Sequence, residues 1–266
     1  MRRWMWMGLG LWLACASLPF PALAEEWTKT FPISGHPELR VESSDAGIHI
    51  GAWDQKSIAV KVTSEKWGFG QGALEVYDHQ DGDSVEIEVR LPRGMPILSL
   101  GNRRTRVEIH MPHEGKLRVH TGDGEIRVRD VKGELDLESG DGHLEVEGVD
   151  GILRAHSGDG QIRARGRFDA LDVSTGDGRI AAEALAGSSI GKGWNLKTGD
   201  GSVTLTVPET LAADVVLHTG YGHITLDMPL TIEGRYDSSN VRGKLNGGGG
   251  VLLIHSGDGS IRLGRS

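Results

Sequence analysis

The sequence has almost no cysteine, few aromatic residues and a shortage of positive charge. Its 266 residues include one cysteine, Cys15, and only 5% of them are Phe, Trp or Tyr. A disulfide bond within the chain is therefore excluded as a source of stability. Acidic residues outnumber Lys and Arg by 37 to 29. This balance argues against nucleic acid as a partner, because phosphate binding needs clustered positive charge.

The apolar spacing of an amphipathic helix is also missing after residue 24. The one long apolar run lies at the N-terminus. Arg2 and Arg3 precede this run, and Ala22-Leu23-Ala24 follows it as a small-residue cleavage site. This order is typical of a secretory signal peptide. Residues 1–24 are therefore predicted to be removed on export. No membrane span is expected in the rest of the chain, and the protein is expected in the periplasm, in the cell envelope or outside the cell.

What the sequence does contain is an internal repeat of eighteen residues. The turn Thr-Gly-Asp-Gly at 121–124 returns, with Ser or Thr first, at 139–142, 157–160 and 175–178. Apolar positions keep the same step, as in the column Leu117, Leu135, Leu153 and Leu171. A fixed period of this kind is the mark of a repeat architecture.

Apolar and polar residues alternate on both sides of each turn, which is the period of a half-buried strand. The sequence therefore predicts an all-β protein with one continuous domain. In that domain, residues 25–112 are expected to form irregular N-terminal coils or a cap. Residues 113–266 are expected to form the regular repeats.

The charge pattern chooses between a meander of hairpins and a stacked solenoid. A hairpin centred on Gly122-Asp123 would place Arg118 opposite Arg127, and facing like charges destabilise a sheet. Stacked coils of about 18 residues instead give columns that alternate in sign, such as Arg118, Asp136, Arg154 and Asp172. We therefore predict a single-stranded β-solenoid. The right-handed form is favoured, because the hexapeptide pattern of a left-handed β-helix is missing.

An aspartate recurs in the turns and forms a candidate calcium site. Calcium prefers hard oxygen ligands and could bridge stacked carboxylates, here those of Asp123, Asp141, Asp159 and Asp177. The alternative is structural: each aspartate bonds a backbone N–H of its own turn, and the flanking glycines supply positive φ. The structural role is favoured, because Tyr221 interrupts the column and the calcium β-roll pattern is absent. No other cofactor is expected.

A glycine-rich loop with two aromatic residues, Trp67 and Phe69, is the candidate ligand contact. Exposed aromatic side chains can stack on sugars or anchor a protein partner. The same side chains can fold back and cover the end of the solenoid, and this capping role is favoured. If the loop is a contact, its ligand is expected to be a polysaccharide or an envelope protein.

The C-terminal end predicts an open edge. Residues 261–263 have the pattern of a core strand, and the chain stops at Ser266 without a capping helix. An uncovered strand edge invites pairing with another chain. We therefore expect self-association through the C-terminal coil.

Three segments resemble a widespread bacterial family of exported domains of unknown function that are labelled as adhesins. They are the recurring Thr/Ser-Gly-Asp-Gly-x-Ile turn, residues 107–112, and residues 244–250 followed by 254–263. The resemblance covers about residues 38–264 and implies a β-solenoid. The adhesin label is itself an inference from fold, and the family supplies no catalytic residues.

The expected function is adhesin-like binding or scaffolding at the cell envelope, without catalysis. The enzymatic alternative is a carbohydrate-active β-helix similar to a polysaccharide lyase. Such an enzyme would need an acidic site beside one of the two interruptions of the repeat, residues 187–194 or 227–251. Arg235, Asp237 and Arg242 in the second interruption are its candidate residues.

Overall fold

The computed structural model describes residues 25–65, 68–70, 73–91, 105–233 and 237–265. Within these ranges every element of regular secondary structure is a β-strand, so the prediction of an all-β protein is confirmed. The predicted signal peptide, residues 1–24, lies outside the described residues. The strands are β1 (Glu25–Pro32), β2 (Glu38–Ser43), β3 (Gly47–Trp53), β4 (Ser57–Ser64), β5 (Glu75–Asp81), β6 (Ser84–Arg90), β7 (Thr105–Pro112), β8 (Glu114–Thr121), β9 (Ile126–Arg129), β10 (Lys132–Ser139), β11 (Leu144–Ser157), β12 (Ile162–Thr175), β13 (Ile180–Ala184), β14 (Trp194–Thr198), β15 (Val203–Val207), β16 (Ala213–Thr219), β17 (Ile224–Asp227), β18 (Thr231–Ile232), β19 (Asn240–Leu245), β20 (Gly250–Ser256) and β21 (Ile261–Arg265).

Alternation of apolar and polar residues determines which side of each strand is buried. Along β10, for example, Leu135 and Leu137 are buried, whereas Asp136 and Glu138 between them are exposed. Successive side chains of a strand point to opposite faces, so this pattern gives each strand one inner and one outer side. The inner sides of the described strands join in one hydrophobic core.

The strands form two wings of one sheet, and the Thr/Ser-Gly-Asp-Gly turns connect the wings. Wing A contains the strands that lead into the turns, in the spatial order β5, β6, β2, β8, β10, the second half of β11, the second half of β12, β14, β20, β16, β19 and β18. Wing B contains the strands that leave the turns, in the order β1, β4, β7, β3, β9, the first half of β11, the first half of β12, β13, β15, β21 and β17.

The central rows pair in parallel, with partners eighteen residues apart: Leu117, Leu135, Leu153 and Leu171. The same register places opposite charges side by side on wing B. Arg127 Nε lies 3.0 Å from Glu145 Oε2, and Arg165 Nε lies 3.0 Å from Glu183 Oε2. On wing A, Arg118 and Arg154 pair instead with Glu38 and Glu134 of a neighbouring column.

The C-terminal strands lie inside the stack and not at its end. β20 pairs with β14 on one side and β16 on the other, and β21 pairs with β15 and β17. The prediction of an open C-terminal edge is therefore wrong. Because both edges of β20 and β21 are paired, the unpaired edge on which predicted self-association through this coil depended does not exist. The chain can return because β19 runs back antiparallel beside β16 and then turns through Asn246 and Gly247, which have positive φ.

Antiparallel strands cover much of the two ends of the stack. At one end β4 pairs antiparallel with β7, β1 with β4, and β5 with β6. At the other end β19 pairs antiparallel with β16, and β18 with β19. In the described ranges, no helix has the length and apolar character needed to cross a membrane.

Candidate functional site

The turns are held by buried hydroxyl groups. The Ser157 hydroxyl accepts a hydrogen bond from the Gly160 N–H at 3.0 Å and donates to the Gly142 carbonyl of the preceding row at 2.9 Å. The same two contacts recur at Ser139, Thr175, Thr198 and Thr219. The hydroxyls, in place of the predicted aspartate carboxylates, therefore satisfy these buried backbone N–H groups.

The glycines of the turns are required for close stacking and not for positive φ. None of the glycines at 122, 124, 140, 142, 158, 160, 176 and 178 has a positive φ, so that expectation is wrong. A Cβ built on Gly160 would collide with the carbonyl oxygen of Gly142 in the row below, and one on Gly142 with that of Gly124. Only glycine therefore lets successive turns approach at the spacing of a sheet.

The aspartate side chains form an exposed row along this edge. Asp123, Asp141, Asp159 and Asp177 follow one another, with Asp45 before them and Asp200 and Asp258 after them. Because the C-terminal coil lies inside the stack, Tyr221 falls at the end of the row and does not interrupt it. In the part of the chain that the structure describes, no group of three or more His, Cys, Asp or Glu side chains could hold a metal ion. Calcium binding to the row stays a prediction.

Phe69 of the aromatic loop is half-buried and packs against the core. Its backbone N–H donates to Glu25 Oε2 at 3.0 Å, and the residue forms an isolated bridge with Leu74. Trp67 lies outside the described residues. The contacts of Phe69 are those of a covering side chain, and the role of the loop in ligand contact stays a prediction.

A depression of about 430 Å³, not predicted from the sequence, lies on the outer face of wing B. Gly51 of β3 lies at its centre, paired with His110 of β7 on one side and Arg129 of β9 on the other. Both neighbours carry long outward side chains, so the missing side chain of Gly51 leaves a gap between them. His49, Glu108 and Arg127 complete the polar wall.

An indole ring supports one wall of this depression. The Trp53 and His110 rings stack, with centroids 5.3 Å apart and an interplanar angle of 27°. Trp53 Nε1 donates to the Ser57 carbonyl at 2.8 Å, which fixes the orientation of the indole. The available signal in the sequence was a glycine at an outward position of a strand, two residues before an isolated tryptophan.

The two arginines of the depression differ in how firmly they are paired. Arg127 is held between two carboxylates, with Glu125 Oε1 at 2.7 Å and Glu145 Oε2 at 3.0 Å. Arg129 Nε lies 3.7 Å from Glu147 Oε2, a distance too long for a direct hydrogen bond. The guanidinium of Arg129 is therefore the more available of the two for a bound anion.

His49 lies beside these arginines in the wall of the depression. Burial and the charges of Arg106 and Arg127 hold the pKa of His49 below its ordinary value of 6.5. The imidazole is therefore neutral at neutral pH, with one nitrogen as a donor and the other as an acceptor.

The second interruption supplies no assembled acid–base pair in the described residues. Asp237 accepts hydrogen bonds from the N–H groups of Ser239 and Asn240, which lower the pKa of its carboxyl group. Arg242 lies on β19 opposite Val216 of β16. Arg235 lies outside the described residues.

The first interruption borders a depression of about 330 Å³ on wing A. Asp172 in its wall accepts a hydrogen bond from Asn195 Nδ2 at 3.0 Å, and Val251 and Leu253 beside it are exposed. Nearby, Asp169 accepts a hydrogen bond from Arg167 at 2.7 Å, which lowers the pKa of its carboxyl group. A carboxyl group that acts as a general acid needs a pKa raised towards the working pH, whereas the pKa of Asp169 is lowered.

Comparison with known proteins identifies the family. The model of the Toastrack DUF4097 family matches residues 36–264. The chain belongs to the Toastrack DUF4097 family. The resemblance drawn from the sequence is thus confirmed at the level of the family, while the Thr/Ser-Gly-Asp-Gly turn as a family signature stays a prediction. No curated protein matches this Toastrack chain.

Several solved structures are similar to this Toastrack chain. A "putative cell adhesion protein" from Clostridium sporogenes is 16% identical with a TM-score of 0.46, and the match covers 92% of this chain and 100% of the other. A "putative adhesin" from Bacteroides fragilis is 10% identical with a TM-score of 0.45, covering 90% and 97%. A "putative lipid binding protein" from Parabacteroides distasonis is 14% identical with a TM-score of 0.44, covering 90% and 96%.

Proposed function

We propose that this Toastrack protein is an exported, adhesin-like module that binds or scaffolds at the cell envelope and has no catalytic activity. The observation that carries the proposal is the outer face of wing B, where fixed side chains of both charges lie in register across parallel rows. Arg127–Glu145 and Arg165–Glu183 are two such pairs. A broad, preorganised polar surface suits recognition of an extended ligand, because little side-chain freedom is lost on binding.

We also propose that the rows form a β-solenoid with coils of about 18 residues, in the right-handed form that the sequence favours. The parallel register of β8, β10, β11 and β12 supports this coil length. In a solenoid each coil contacts mainly its neighbours, so the length of the binding surface grows with the number of coils.

Export is proposed from the features of residues 1–24, a positive start, an apolar stretch and a small-residue cleavage site. The partner is then a molecule of the envelope or cell surface, either a polysaccharide or a protein. Nucleic acid is not proposed as a partner, because acidic side chains outnumber basic ones.

The lyase-like alternative receives less support from the geometry. The carboxyl groups of Asp169 and Asp237 next to the two interruptions have lowered pKa values, because hydrogen bonds stabilise their charged forms. A lyase assay tests the alternative directly: the purified protein is incubated with acidic polysaccharides and the ultraviolet absorbance of unsaturated products is followed. We expect no increase over a heat-denatured sample.

The proposed function is tested by binding of the purified protein to a panel of polysaccharides and to whole cells, with and without calcium. The protein is produced with its leader, so that the cell processes it. Saturable binding to a polysaccharide or to cells is expected. Absence of binding to every member of the panel would contradict a recognition function. Loss of binding in EDTA would show that binding depends on a divalent cation, for which the aspartate row is the candidate site.

A further inference from the structure

We propose that the depression around Gly51 binds an acidic saccharide, with the His110 ring on Trp53 as its platform and Arg129 as the partner of its carboxylate. The inference rests on the proposed function, because it names the ligand class and the place of binding for the same module.

The shape comes from a single missing side chain. On the outer face of wing B, Gly51 lies between the long side chains of His110 on one neighbouring strand and Arg129 on the other. A Cβ added at Gly51 would have His110 Cδ2 as its nearest neighbour at 3.9 Å, and the φ of Gly51 is not positive. Neither crowding nor backbone conformation therefore requires glycine here. The volume of about 430 Å³ lies in the range of small-ligand sites.

The aromatic support provides a flat surface beside the gap. His110 is exposed, and Trp53 beneath it is half-buried and fixed through its hydrogen bond to Ser57. A pyranose ring has one apolar face of C–H groups and a rim of hydroxyl groups. Such a ring can lie on the imidazole while its hydroxyls remain free for polar contacts. A rigid aromatic side chain loses little conformational freedom in making this contact.

The polar wall selects for a negative charge. The lining has two guanidinium groups, Arg127 and Arg129, and one carboxylate, Glu108. Arg127 is occupied by Glu125 and Glu145, whereas Arg129 is only loosely paired with Glu147. A guanidinium binds a carboxylate through two parallel hydrogen bonds, which a lysine cannot reproduce.

The remaining wall residues suit the hydroxyl groups of a sugar. The Glu108 carboxylate can accept hydrogen bonds, and neutral His49 can both donate and accept. Together with Arg127 they place both donors and acceptors around one gap. This mixture distinguishes a saccharide from a simple anion, which would use only the donors.

The experiment measures binding of tetragalacturonate and of neutral maltotetraose to the full-length processed protein by isothermal titration calorimetry. Gly51→Val fills the gap with a β-branched residue that suits a strand. Gly47→Val is its matched control, because Gly47 lies on the same side of β3, has a Cβ position 4.0 Å from the Glu125 oxygen and does not line the depression. Arg129→Gln removes the proposed carboxylate partner. Arg262→Gln, on the same wing and paired with Asp227, is the control for loss of one positive charge.

Saturable binding of tetragalacturonate is expected, together with at least tenfold weaker binding of maltotetraose. Arg129→Gln should weaken tetragalacturonate binding about tenfold or more, as for loss of a charge-assisted contact. Gly51→Val should abolish it without lowering the melting temperature. Both control variants should bind within about twofold of wild type, since neither touches the depression.

Three results would overturn the inference: equal binding of the neutral and acidic tetrasaccharides, full binding by Gly51→Val, or equal effects of Arg129→Gln and Arg262→Gln. If the protein binds another member of the panel or cells but not tetragalacturonate, this inference fails and the proposed function stands. If the protein binds nothing in the panel, this inference and the recognition function fail together, and only the scaffolding role is left.

Discussion

Removal of one buried hydroxyl should weaken the whole stack. Ser157 is fully buried, and its hydroxyl bonds the N–H of Gly160 in its own turn and the carbonyl of Gly142 in the row below. Ser157→Ala leaves both backbone groups without a partner in a place that water does not reach. It therefore breaks the turn and the contact between two rows at once.

The expected loss can be worked out from these two contacts. Each buried polar group left unsatisfied costs about 1–3 kcal/mol, and partial relaxation reduces the sum, so we expect a loss of about 2–4 kcal/mol. For a protein of this size each kcal/mol lowers the melting temperature by about 2–4 °C, which gives a decrease of about 4–16 °C. The free energy of unfolding is measured by urea titration and the melting temperature by calorimetry.

Two control variants isolate the hydroxyl. Ser157→Thr keeps the hydroxyl, and threonine fills the same position at Thr175 and Thr198, so its stability should stay within about 1 kcal/mol of wild type. Ser174→Ala changes a neighbouring outward serine, whose solvent-exposed hydrogen bond to His156 Nδ1 spans 2.9 Å, and should cost less than about 1 kcal/mol. A Ser157→Ala protein as stable as wild type would refute the role assigned to the hydroxyl row, and so would an equal loss in Ser157→Thr.

Three further predictions concern the turns and the surface. Gly160→Ala should lower the melting temperature strongly, because the added Cβ would collide with the Gly142 carbonyl. Gly47→Ala is the control and should not lower it, because the position of its Cβ has space. Equal stability of the two variants would contradict the requirement for glycine in the stacked turns. Burial and the nearby charges of His218 and Lys197 hold the pKa of His255 below 6.5 in the folded protein. The contribution of the neutral imidazole to the free energy of unfolding is therefore complete above about pH 6.5. It is lost as the pH falls through the lower pKa of the folded state. Melting temperatures between pH 8 and pH 5 should therefore fall less steeply in His255→Gln than in wild type, and parallel curves would exclude the effect. We expect EDTA to leave the melting temperature unchanged, because the structural role of the aspartate row is favoured. A decrease would instead establish a bound ion.

The strands could be predicted from the sequence because the eighteen-residue period repeats both the core and the charges. Leu117, Leu135 and Leu153 are buried partners in register, and Arg127 pairs with Glu145, as the columns of the sequence suggest. A constant step makes every neighbour in space a residue at a known distance along the chain. Register is therefore available from sequence wherever the step is constant.

The position of the C-terminal coil could not be predicted in this way. Leu252 pairs with both Trp194 and Val215, at separations far from eighteen residues. The alternation along β20 specifies which side is buried but not which rows lie beside it. Only the return of the chain along β19, which uses the antiparallel pairing of Leu245 with Ala213, decides that placement.

The depression at Gly51 was missed for a different reason. A glycine in a strand pattern predicts a bulge or a close approach of another backbone. At Gly51 neither is present, and the important fact is the length of the side chains on the two neighbouring strands. His110 and Arg129 are far from Gly51 in sequence, and His110 comes from the irregular part of the chain, so no repeat step connects them.

The internal position of the C-terminal coil has a consequence for biogenesis. Synthesis delivers β14 to β17 before β20 and β21 exist, although β20 and β21 separate those strands in the finished protein. Strands β14 to β17 therefore keep unpaired edges until β20 and β21 have been synthesised, and such edges attract other chains and proteases. A nascent chain interrupted before Gly250 would lack the row that fills this gap, so synthesis of β20 and β21 is the step that closes the stack.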